Sequence, residues 1–466
     1  MTTALYGLAQ SFGVPFLPFY AWVSIWTLVY IAVCTFFDFT RYVKMATRFT
    51  DDIFALLIVT IFVLDAIGDP FSQSGLLRYL MPDHKSHGVY EDDPDYSKQA
   101  SAYLSILLGL GTTWLIFWLR NYKTTSFFYT QGVRNLICDF SVIASVLVFT
   151  MLDKLAFTDT KTESLKVPND FEPTYQCCDS TCNTSWPSQC GDLVEPYGSR
   201  PWVTNLFDLN GNNWVVFGAA GPAILSFLAI YLDNGITWHL ILSPSHKLQH
   251  GESYSWDLLL NGVLNCINGL LGLPWLVAST VPCIVHLNNL AEKDKDGKFI
   301  SVQETRLTNL FAHFILGMSL LFLNVIKLIP LPVLYGLFLF MGLSSLPGIQ
   351  FWQRFLLFFR QPSLYPEAPY TTYMDKMRVH KYTIFQLVFF AGVFVVQNTK
   401  QISIAFPFMT LLCIPARLYL APKIFHGWEL LLLDGEDDQI KEWSDAKEGR
   451  WSKEVEDAIE IEELEA

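Results

Sequence analysis

Apolar residues run along the chain in stretches long enough to cross a bilayer, and polar and charged residues collect in the connections between them. A helix needs about 20 mostly apolar residues to cross roughly 30 Å of hydrocarbon. The stretches lack the alternation of apolar and polar positions that marks the strands of a membrane β-barrel. The pattern therefore predicts an all-α polytopic membrane protein.

The apolar stretches predict about eleven membrane segments. Ten of them cover residues 16–37, 52–67, 100–119, 135–152, 214–242, 257–273, 310–328, 333–346, 382–396 and 404–420, and a shorter one covers residues 272–290. We assign residues 1–428 to a transmembrane domain that contains a polar loop over residues 153–212. Residues 429–466 form an acidic tail, which we expect to be solvated.

The segment over residues 272–290 is apolar but too short to cross a bilayer alone, and Pro274 interrupts its start. Ser279 and Thr280 lie near its first turn. A helix that begins inside a membrane leaves its first backbone N–H groups unpaired and presents the positive end of its dipole. Discontinuous helices of this kind form ion and substrate sites in secondary transporters. The segment suits a re-entrant or core helix equally well.

One carboxylate, Asp233, lies deep in the apolar stretch over residues 214–242. A charge at the centre of a membrane helix costs about 2.5–3.5 kcal/mol on insertion scales, so Asp233 should have a partner. Thr237 lies one turn further on the same helix face. Carboxylate and hydroxyl oxygens are hard ligands that suit a small cation. The alternative is that Asp233 caps a helix end or faces interfacial water.

The loop charges predict which connections face the cytoplasm. Lys and Arg cluster in residues 41–48, 120–134, 243–256, 291–308 and 351–381, whereas residues 69–98 and 153–212 lack such clusters. Cytoplasmic loops carry the excess of positive residues, so the basic loops and the C-terminus are predicted to be cytoplasmic. Successive segments then cross the membrane in opposite directions, provided that residues 272–290 descend towards the cytoplasm.

The loop over residues 153–212 holds four cysteines and a glycosylation sequence, both of which agree with an extracytoplasmic position. The cysteines are Cys177, Cys178, Cys182 and Cys190, and the acceptor is Asn183, followed by Thr-Ser. The sequence therefore predicts one or two disulfides and N-glycosylation. The adjacent Cys177 and Cys178 also suit free or metal-binding thiols.

Two further patterns lead to structural expectations. Residues 351–378 combine Phe and Leu with Arg354, Arg360, Lys376 and Arg378, a composition typical of an amphipathic helix on the membrane surface. Asp51 and Asp52 follow Thr50 at the start of an apolar stretch, where Asp commonly caps a helix N-terminus. Both features predict structural roles.

Composition narrows the class of protein further. Of the 466 residues, 52% are hydrophobic and 16% are charged, whereas a soluble domain carries about a quarter charged residues. No hydrolase or kinase motif, phosphate-binding glycine loop or zinc spacing is present, which argues against an enzyme and predicts no cofactor. The basic residues belong to short loops, so nucleic-acid binding has no support. The net charge of −13 owes much to the acidic tail.

Six stretches of this sequence resemble the bicarbonate transporter family (solute carrier family 4, band 3-like), which contains anion exchangers and sodium–bicarbonate cotransporters. They are RFTDDIF at residues 48–54, WDLLL at 256–260, LPW at 273–275, PVLYGLFLFMG at 332–342, LPGIQ at 346–350 and LDGEDD at 433–438. The stretches follow one another from the first predicted segments to the tail, so the resemblance covers nearly the whole chain.

The resemblance implies a transporter fold of two inverted repeats of seven spans, with two facing half-helices in a core domain and a separate gate domain. It assigns residues 16–40 and 214–328 to the core and residues 50–152 and 333–420 to the gate. The segment over residues 272–290 corresponds to the second half-helix, so Ser279, Thr280 and Val281 are expected to line the anion site. Asp233, Thr237 and Thr280 correspond to positions beside Na⁺ in sodium-coupled members.

Pro282 stands where chloride–bicarbonate exchangers of the family carry an arginine. Without that fixed charge an anion needs another positive partner, and Na⁺ near Asp233 would supply one. The resemblance therefore favours uptake of bicarbonate or carbonate coupled to Na⁺. Chloride–bicarbonate exchange and borate export, as in plant and fungal relatives, are the alternatives.

The chain begins at what resembles the fourth span of the family, so the resemblance implies a partial seven-plus-seven fold with one discontinuous half-helix. Either the sequence is a truncated version of a longer one, or it is a shortened form that serves as a non-transporting subunit. The resemblance also implies a homodimer in the plasma membrane. The acidic segment over residues 434–438 resembles a tail motif proposed to contact carbonic anhydrase.

Overall fold

The structure, a computed structural model, describes most of the chain outside the long polar loops and the last residues. It covers residues 2–41, 47–68, 75–80, 98–125, 130–165, 167, 175–178, 184–185, 196–199, 201–209, 211–242, 246–251, 253–293, 299–399, 406–435 and 439–447. Statements about structure refer to these residues.

Helices dominate the described residues. In chain order they are α1 (Thr2–Ser11), α2 (Phe16–Phe36), α3 (Arg48–Ile67), α4 (Lys98–Thr125), α5 (Gln131–Asp139), α6 (Ser141–Met151), α7 (Val215–Gly218), α8 (Ala220–Ile241), α9 (Tyr254–Leu270), α10 (Thr280–Leu290), α11 (Arg306–Met318), α12 (Leu323–Ile326), α13 (Leu331–Ser345), α14 (Gln350–Leu356), α15 (Pro369–Thr372), α16 (Lys376–Asn398), α17 (Phe406–Pro415), α18 (Ala421–Ile424) and α19 (Gly427–Asp434). The predicted all-α polytopic class is confirmed. Helix α1 was not predicted.

Two small antiparallel sheets lie in the connections. Strands β1 (Tyr175–Cys178), β2 (Thr184–Ser185) and β3 (Pro196–Ser199) form a sheet in the order β2-β1-β3, and β4 (Ala291–Lys293) pairs with β5 (Phe299–Val302). Cys177 and Cys178 contribute backbone to β1. Their side chains lie outside the described part of the chain, as do Cys182, Asn183 and Cys190. The disulfides and the glycosylation therefore stay predictions.

Six helices in the described residues are long and apolar enough to cross a membrane, and a bent pair makes a seventh. The six cover Phe16–Phe36, Gln99–Tyr122, Val215–Ile241, Arg306–Ile326, Leu331–Gly348 and Lys376–Asn398. Helix α3 carries too many charged residues for this set, and α9 and α10 are too short. The predicted number of eleven segments, which includes such shorter elements, stays a prediction.

Contacts divide the chain into two units. The first comprises residues 1–54, 172–305 and 354–466, and the second comprises residues 55–171 and 306–353. The division into core and gate domains, which came from the family resemblance, stays a prediction.

Helix α2 organises the first unit by packing along both α8 and α9. Its buried apolar residues include Phe19, Val23 and Ile31. Trp22 and Trp26 donate their indole N–H groups to the backbone oxygens of Leu206 and Val216, at 3.0 and 2.6 Å. Each indole therefore packs its ring in the first unit and also donates its N–H to a backbone oxygen far along the chain.

Helix α9 approaches α2 closely at Gly269. A Cβ atom at this position would lie 2.0 Å from the Ser24 hydroxyl oxygen. Ser24 Oγ also accepts a hydrogen bond from the Trp275 indole at 2.7 Å. The absence of a side chain at Gly269 thus lets two helices and the segment after α9 meet at one point.

Gly269→Ala is expected to destabilise the protein by about 1–3 kcal/mol, because overpacking a buried contact forces neighbours from their positions. The midpoint of thermal unfolding in detergent measures the effect. Gly221→Ala, where nothing lies within 4 Å of the added methyl, is the matched control and should leave the midpoint unchanged. Equal midpoints for both variants would contradict the close approach.

The second unit is built on the packing of α4 against α13. Leu104, Leu108 and Val333 form its buried apolar contact. The Thr113 hydroxyl donates to the Gly336 carbonyl at 2.8 Å, which joins the two helices by a buried hydrogen bond. Small residues and hydroxyl groups commonly hold membrane helices together in this way, since apolar burial alone gives little advantage in lipid.

The structure corrects two predictions about helix continuity. The segment predicted over residues 135–152 consists of α5 and α6, which meet at Phe140 with a bend of 61°. Residues 351–378 do not form one amphipathic surface helix but contain α14, a 3₁₀ turn, α15 and the first turn of α16. Prolines at 362, 366 and 369 interrupt this stretch, because proline lacks the N–H that a helix interior needs.

The aspartates predicted to cap α3 lie inside that helix. It begins at Arg48, so Asp51 falls in its first turn and Asp52 follows. Asp51 contacts His239 at 3.1 Å, and Asp52 lies 3.6 Å from the Arg354 guanidinium. Both carboxylates therefore contact side chains of other helices, Asp51 the His239 imidazole of α8 and Asp52 the Arg354 guanidinium of α14.

Part of the predicted acidic tail is buried. Glu429 and Asp434 belong to α19 and are 2% and 6% exposed. The Asp434 carboxylate accepts hydrogen bonds from the backbone N–H of Phe49 and from Arg417 Nε. Burial raises the pKa of the Asp434 carboxyl, and the Arg417 charge acts in the opposite direction. A solvated tail can therefore begin only after Asp434.

Candidate functional site

An extended segment over residues 272–279 separates α9 from α10. Gly272 allows the turn at the end of α9 because its φ of +66° lies in the left-handed region. Backbone that forms no helix at membrane depth needs partners from the protein. Tyr20 donates to the Leu273 carbonyl at 3.0 Å, and its ring stacks on that of Trp275 at 4.8 Å.

Helix α10 begins at Thr280, as expected for a discontinuous half-helix. The first hydrogen bond of its own type runs from Cys283 N to Ser279 O at 3.1 Å. The N–H groups of Thr280 and Val281 precede that bond and have no acceptor within the helix, and Pro282 has no N–H. The helix therefore presents two donors and the positive end of its dipole at this point.

Helix α8 brings the two predicted threonines together. The side-chain oxygens of Thr237 and Thr280 lie 2.7 Å apart. Thr237 Oγ1 also lies 2.9 Å from the Asp233 backbone oxygen. Since a carbonyl oxygen only accepts, Thr237 donates to Asp233 O and Thr280 donates to Thr237. One lone pair of the Thr237 hydroxyl stays available to another ligand.

Asp233 lies one turn before Thr237 on the same face of α8. It is only partly exposed. Within the described residues, its carboxylate makes no hydrogen bond or ion pair, whereas most buried carboxylates are paired. A carboxylate, a threonine hydroxyl and a helix N-terminus therefore lie on two neighbouring helices, an arrangement that can attract a cation and an anion together.

The remaining predicted site residues occupy the start of α10. Ser279 is exposed, and its hydroxyl does not cap the helix. The Val281 side chain lies outside the described part of the chain, and its backbone N–H is one of the two helix donors. No three His, Cys, Asp or Glu side chains of the described residues come close enough to hold a metal ion. A cation site here would combine the Asp233 carboxylate with other oxygens, such as hydroxyls or backbone carbonyls.

Three asparagines near the site were missed by the sequence analysis. Asn234 follows Asp233 on α8, and Asn261 and Asn265 lie on the facing helix α9. Asn265 is 1% exposed and hydrogen-bonds both backbone groups of Leu276 in the extended segment. The sequence does contain a feature that points to them, because Asn261 and Asn265 lie one helical turn apart in an apolar run. Polar residues in such a run need partners.

These features define an integral membrane protein of the helical class that contains an interrupted helix, as secondary transporters do. The sequence model of the HCO₃⁻ transporter integral membrane domain matches residues 1–93 and 79–438. The chain therefore belongs to the HCO₃⁻ transporter family, which is a family of transporters rather than enzymes. The resemblance identified in the sequence is confirmed.

The curated relatives agree with this assignment. The chain is 31% identical to the band 3 anion transport protein of Homo sapiens over 459 residues, which covers 96% of the chain and 47% of the relative. It is 34% identical to anion exchange protein 3 of Mus musculus over 438 residues, which covers 89% of the chain and 34% of the relative. The chain thus spans half or less of the length of these relatives.

Among solved structures, the chain is similar to the transmembrane domain of a cyanobacterium bicarbonate transporter, BicA. The two are 13% identical and superpose with a TM-score of 0.40, over 83% of this chain and 78% of the other. No conclusion about the fold or the function rests on a similarity at that level.

Proposed function

We propose that the protein is a secondary transporter that moves bicarbonate or carbonate across a membrane together with Na⁺. Transport of an inorganic anion is supported by membership of the HCO₃⁻ transporter family and by the names of its relatives. Coupling to Na⁺ is the finer part of the proposal and depends on the residues around Asp233.

The observation that carries the proposal is the contact between Thr237 and Thr280, one helical turn after Asp233, whose carboxylate has no partner among the described residues. The carboxylate and the two hydroxyl oxygens are the hard ligands that Na⁺ prefers. The N–H groups of Thr280 and Val281 offer hydrogen bonds to an anion at the same place. A cation and an anion would then bind next to each other and stabilise each other electrostatically.

The residue at position 282 supports coupling to Na⁺ rather than exchange. Pro282 carries no charge and removes a third helix N–H from the N-terminus of α10. An anion at this position receives only the partial charge of the helix, which corresponds to about half an elementary charge. Sodium bound at Asp233 would supply the remaining attraction, so that neither ion binds well alone.

Uptake of labelled bicarbonate by reconstituted vesicles tests the proposal. We expect uptake that requires Na⁺ in the outer solution and continues when chloride is replaced by gluconate. The same vesicles with N-methylglucamine in place of Na⁺ should show only background uptake. Uptake that is independent of Na⁺ would contradict the coupling, and no uptake under any condition would contradict the transport function of this chain.

Chloride–bicarbonate exchange is the second candidate, because the relatives are named for anion transport and anion exchange. Exchange would need chloride on the opposite side of the membrane and would persist without Na⁺. The chloride and sodium substitutions in the same vesicles therefore separate the two functions. We further propose the plasma membrane as the location and the cytoplasm as the side of the C-terminus, which the basic loops favour.

A contact with carbonic anhydrase is not favoured at the start of the acidic segment. Asp434 is 6% exposed and is engaged by Phe49 and Arg417. Residues 436–438 lie outside the described part of the chain. A partner that recognises this segment would have to bind residues beyond Asp434.

A further inference from the structure

Three amide side chains, two of them buried and one half-buried, form a continuous hydrogen-bonded relay between α8 and the extended segment before α10. We infer that this relay, formed by Asn234, Asn261 and Asn265, positions the N-terminus of α10 against the Asp233 turn of α8. In this role Asn265 is a positioning residue for the candidate ion site. The inference rests on the proposed function only for its consequence on transport.

The relay has a defined direction at each link. Asn265 Nδ2 donates to Asn261 Oδ1 at 2.6 Å, and Asn261 Nδ2 donates to Asn234 Oδ1 at 3.0 Å. Asn234 Nδ2 in turn donates to the Ile230 carbonyl of its own helix at 2.7 Å. Each amide thus donates to the next, and the last one is fixed to α8 beside Asp233.

At its other end the relay holds the backbone of Leu276. Asn265 Nδ2 donates to Leu276 O at 2.8 Å, and Leu276 N donates to Asn265 Oδ1 at 2.6 Å. This paired contact replaces the two bonds that Leu276 would make in a helix or sheet. Asn265 uses both of its N–H groups and its oxygen in three bonds, so no other natural side chain of similar size can substitute for it.

The position of the relay connects it to the site. Leu276 precedes Thr280 by four residues, and Asn234 precedes Thr237 by three. The α8 turn and the start of α10 are therefore joined at two places, by the amide relay and by the Thr237–Thr280 contact. Tyr20 and Ser24 hold the extended segment against α2, whereas the relay joins it to α8.

Disulfide cross-linking measures this positioning without requiring transport. Thr237→Cys and Thr280→Cys place two thiols where the hydroxyl oxygens lie 2.7 Å apart, and oxidation with copper phenanthroline joins them. Cys283 is replaced by Ala in this reporter because it lies close to Thr280. The linked peptides are quantified by mass spectrometry, and the proteins that carry only one of the two introduced cysteines serve as the background.

Asn265→Leu in the reporter is expected to slow cross-linking about tenfold, because two backbone groups and Asn261 lose their partner. In the protein without the reporter cysteines, it should raise the KM for bicarbonate about tenfold and change the maximal rate less. Asn268→Leu on the same helix is the matched control, since the Asn268 side chain makes no hydrogen bond within the described residues. It should change neither quantity.

Asn261→Leu provides a second test that leaves both Leu276 bonds intact. It should slow cross-linking in the same direction but by a smaller factor, and its effect should not add to that of Asn265→Leu. Cross-linking in both variants at the rate of the reporter without either substitution would overturn the inference. Loss of folded protein in both would also overturn it, since the relay would then serve stability alone. If the wild type does not transport, the cross-linking rates still test whether the relay positions α10.

Discussion

Replacing Asp233 with Asn is expected to abolish sodium-coupled uptake at physiological Na⁺ concentrations. The amide keeps the size of the side chain but removes the charge that would balance a bound cation. Losing a charged ligand in a desolvated site costs about 2–3 kcal/mol, which corresponds to a roughly 30- to 150-fold weaker apparent affinity for Na⁺. Initial uptake rates at increasing Na⁺ concentration measure the change.

Asp257→Asn is the matched control for this variant. Asp257 undergoes the same change of charge, but it is exposed near the start of α9, where it accepts a hydrogen bond from Ser253 at 2.8 Å. Its variant should keep the sodium dependence of the wild type. If Asp233→Asn does the same, the carboxylate has no role in cation binding, and anion transport has to be explained without it.

Replacing Arg354 with Met is expected to destabilise the first unit by about 3–5 kcal/mol, the cost of removing one partner of a buried charged pair. Arg354 is 1% exposed, and it donates to Leu433 O at 2.8 Å and to Gln386 Oε1 at 2.6 Å. Its guanidinium also lies 3.6 Å from the Asp52 carboxylate. Met fills the volume but leaves all three acceptors without this donor.

The same network explains why a lysine should not restore stability at position 354. The lysine ammonium is a compact point charge, whereas the planar arginine guanidinium donates hydrogen bonds to acceptors in several directions at once. Unfolding of the detergent-solubilised protein, followed by intrinsic fluorescence, should show a lower midpoint for both Arg354 variants. Arg360→Met is the control, because Arg360 is exposed six residues further on. A midpoint equal to that of the control would contradict the structural role of Arg354.

The Arg354 network also shows how α19 is held in the first unit. Arg354 binds the carbonyl of Leu433, and Arg417 binds the carboxylate of the next residue, Asp434. Gln386 connects the Arg354 contact to that of Arg417, since it accepts from Arg354 and donates to the Phe49 carbonyl at 3.1 Å. Phe49 in turn donates its N–H to Asp434. The end of the transmembrane region is thus fixed by polar contacts around the start of α3.

The sequence alone determined the class of protein and the family. In a bilayer, a long apolar stretch without alternating polar positions satisfies its backbone hydrogen bonds by forming a helix. The lengths of the stretches were therefore enough to predict the elements. The start of α2 was predicted correctly and its end to within one residue, because Pro15 precedes it and aromatic and aliphatic residues fill it. The discontinuous helix was also predicted, since Pro274 and the short apolar run leave no room for a full span.

The candidate site was predicted in part. Asp233 and Thr237 share a helix face by spacing alone, but their distance from Thr280 depends on how α8 packs against α10. No local pattern encodes the 2.7 Å between the two hydroxyl oxygens, which are 43 residues apart in the chain. The family resemblance suggested the association, and the packing of the helices produced it.

The tertiary structure alone decided the partners of the polar residues. Arg354 and Asp434 belong to segments that look amphipathic or acidic in sequence, and both are buried because their partners come from distant parts of the chain. Asn261 and Asn265 look like isolated polar residues in an apolar helix until Leu276 is placed beside them. Apolar length is a local property and can be read along the chain, whereas pairing of buried polar groups is a property of neighbours in space.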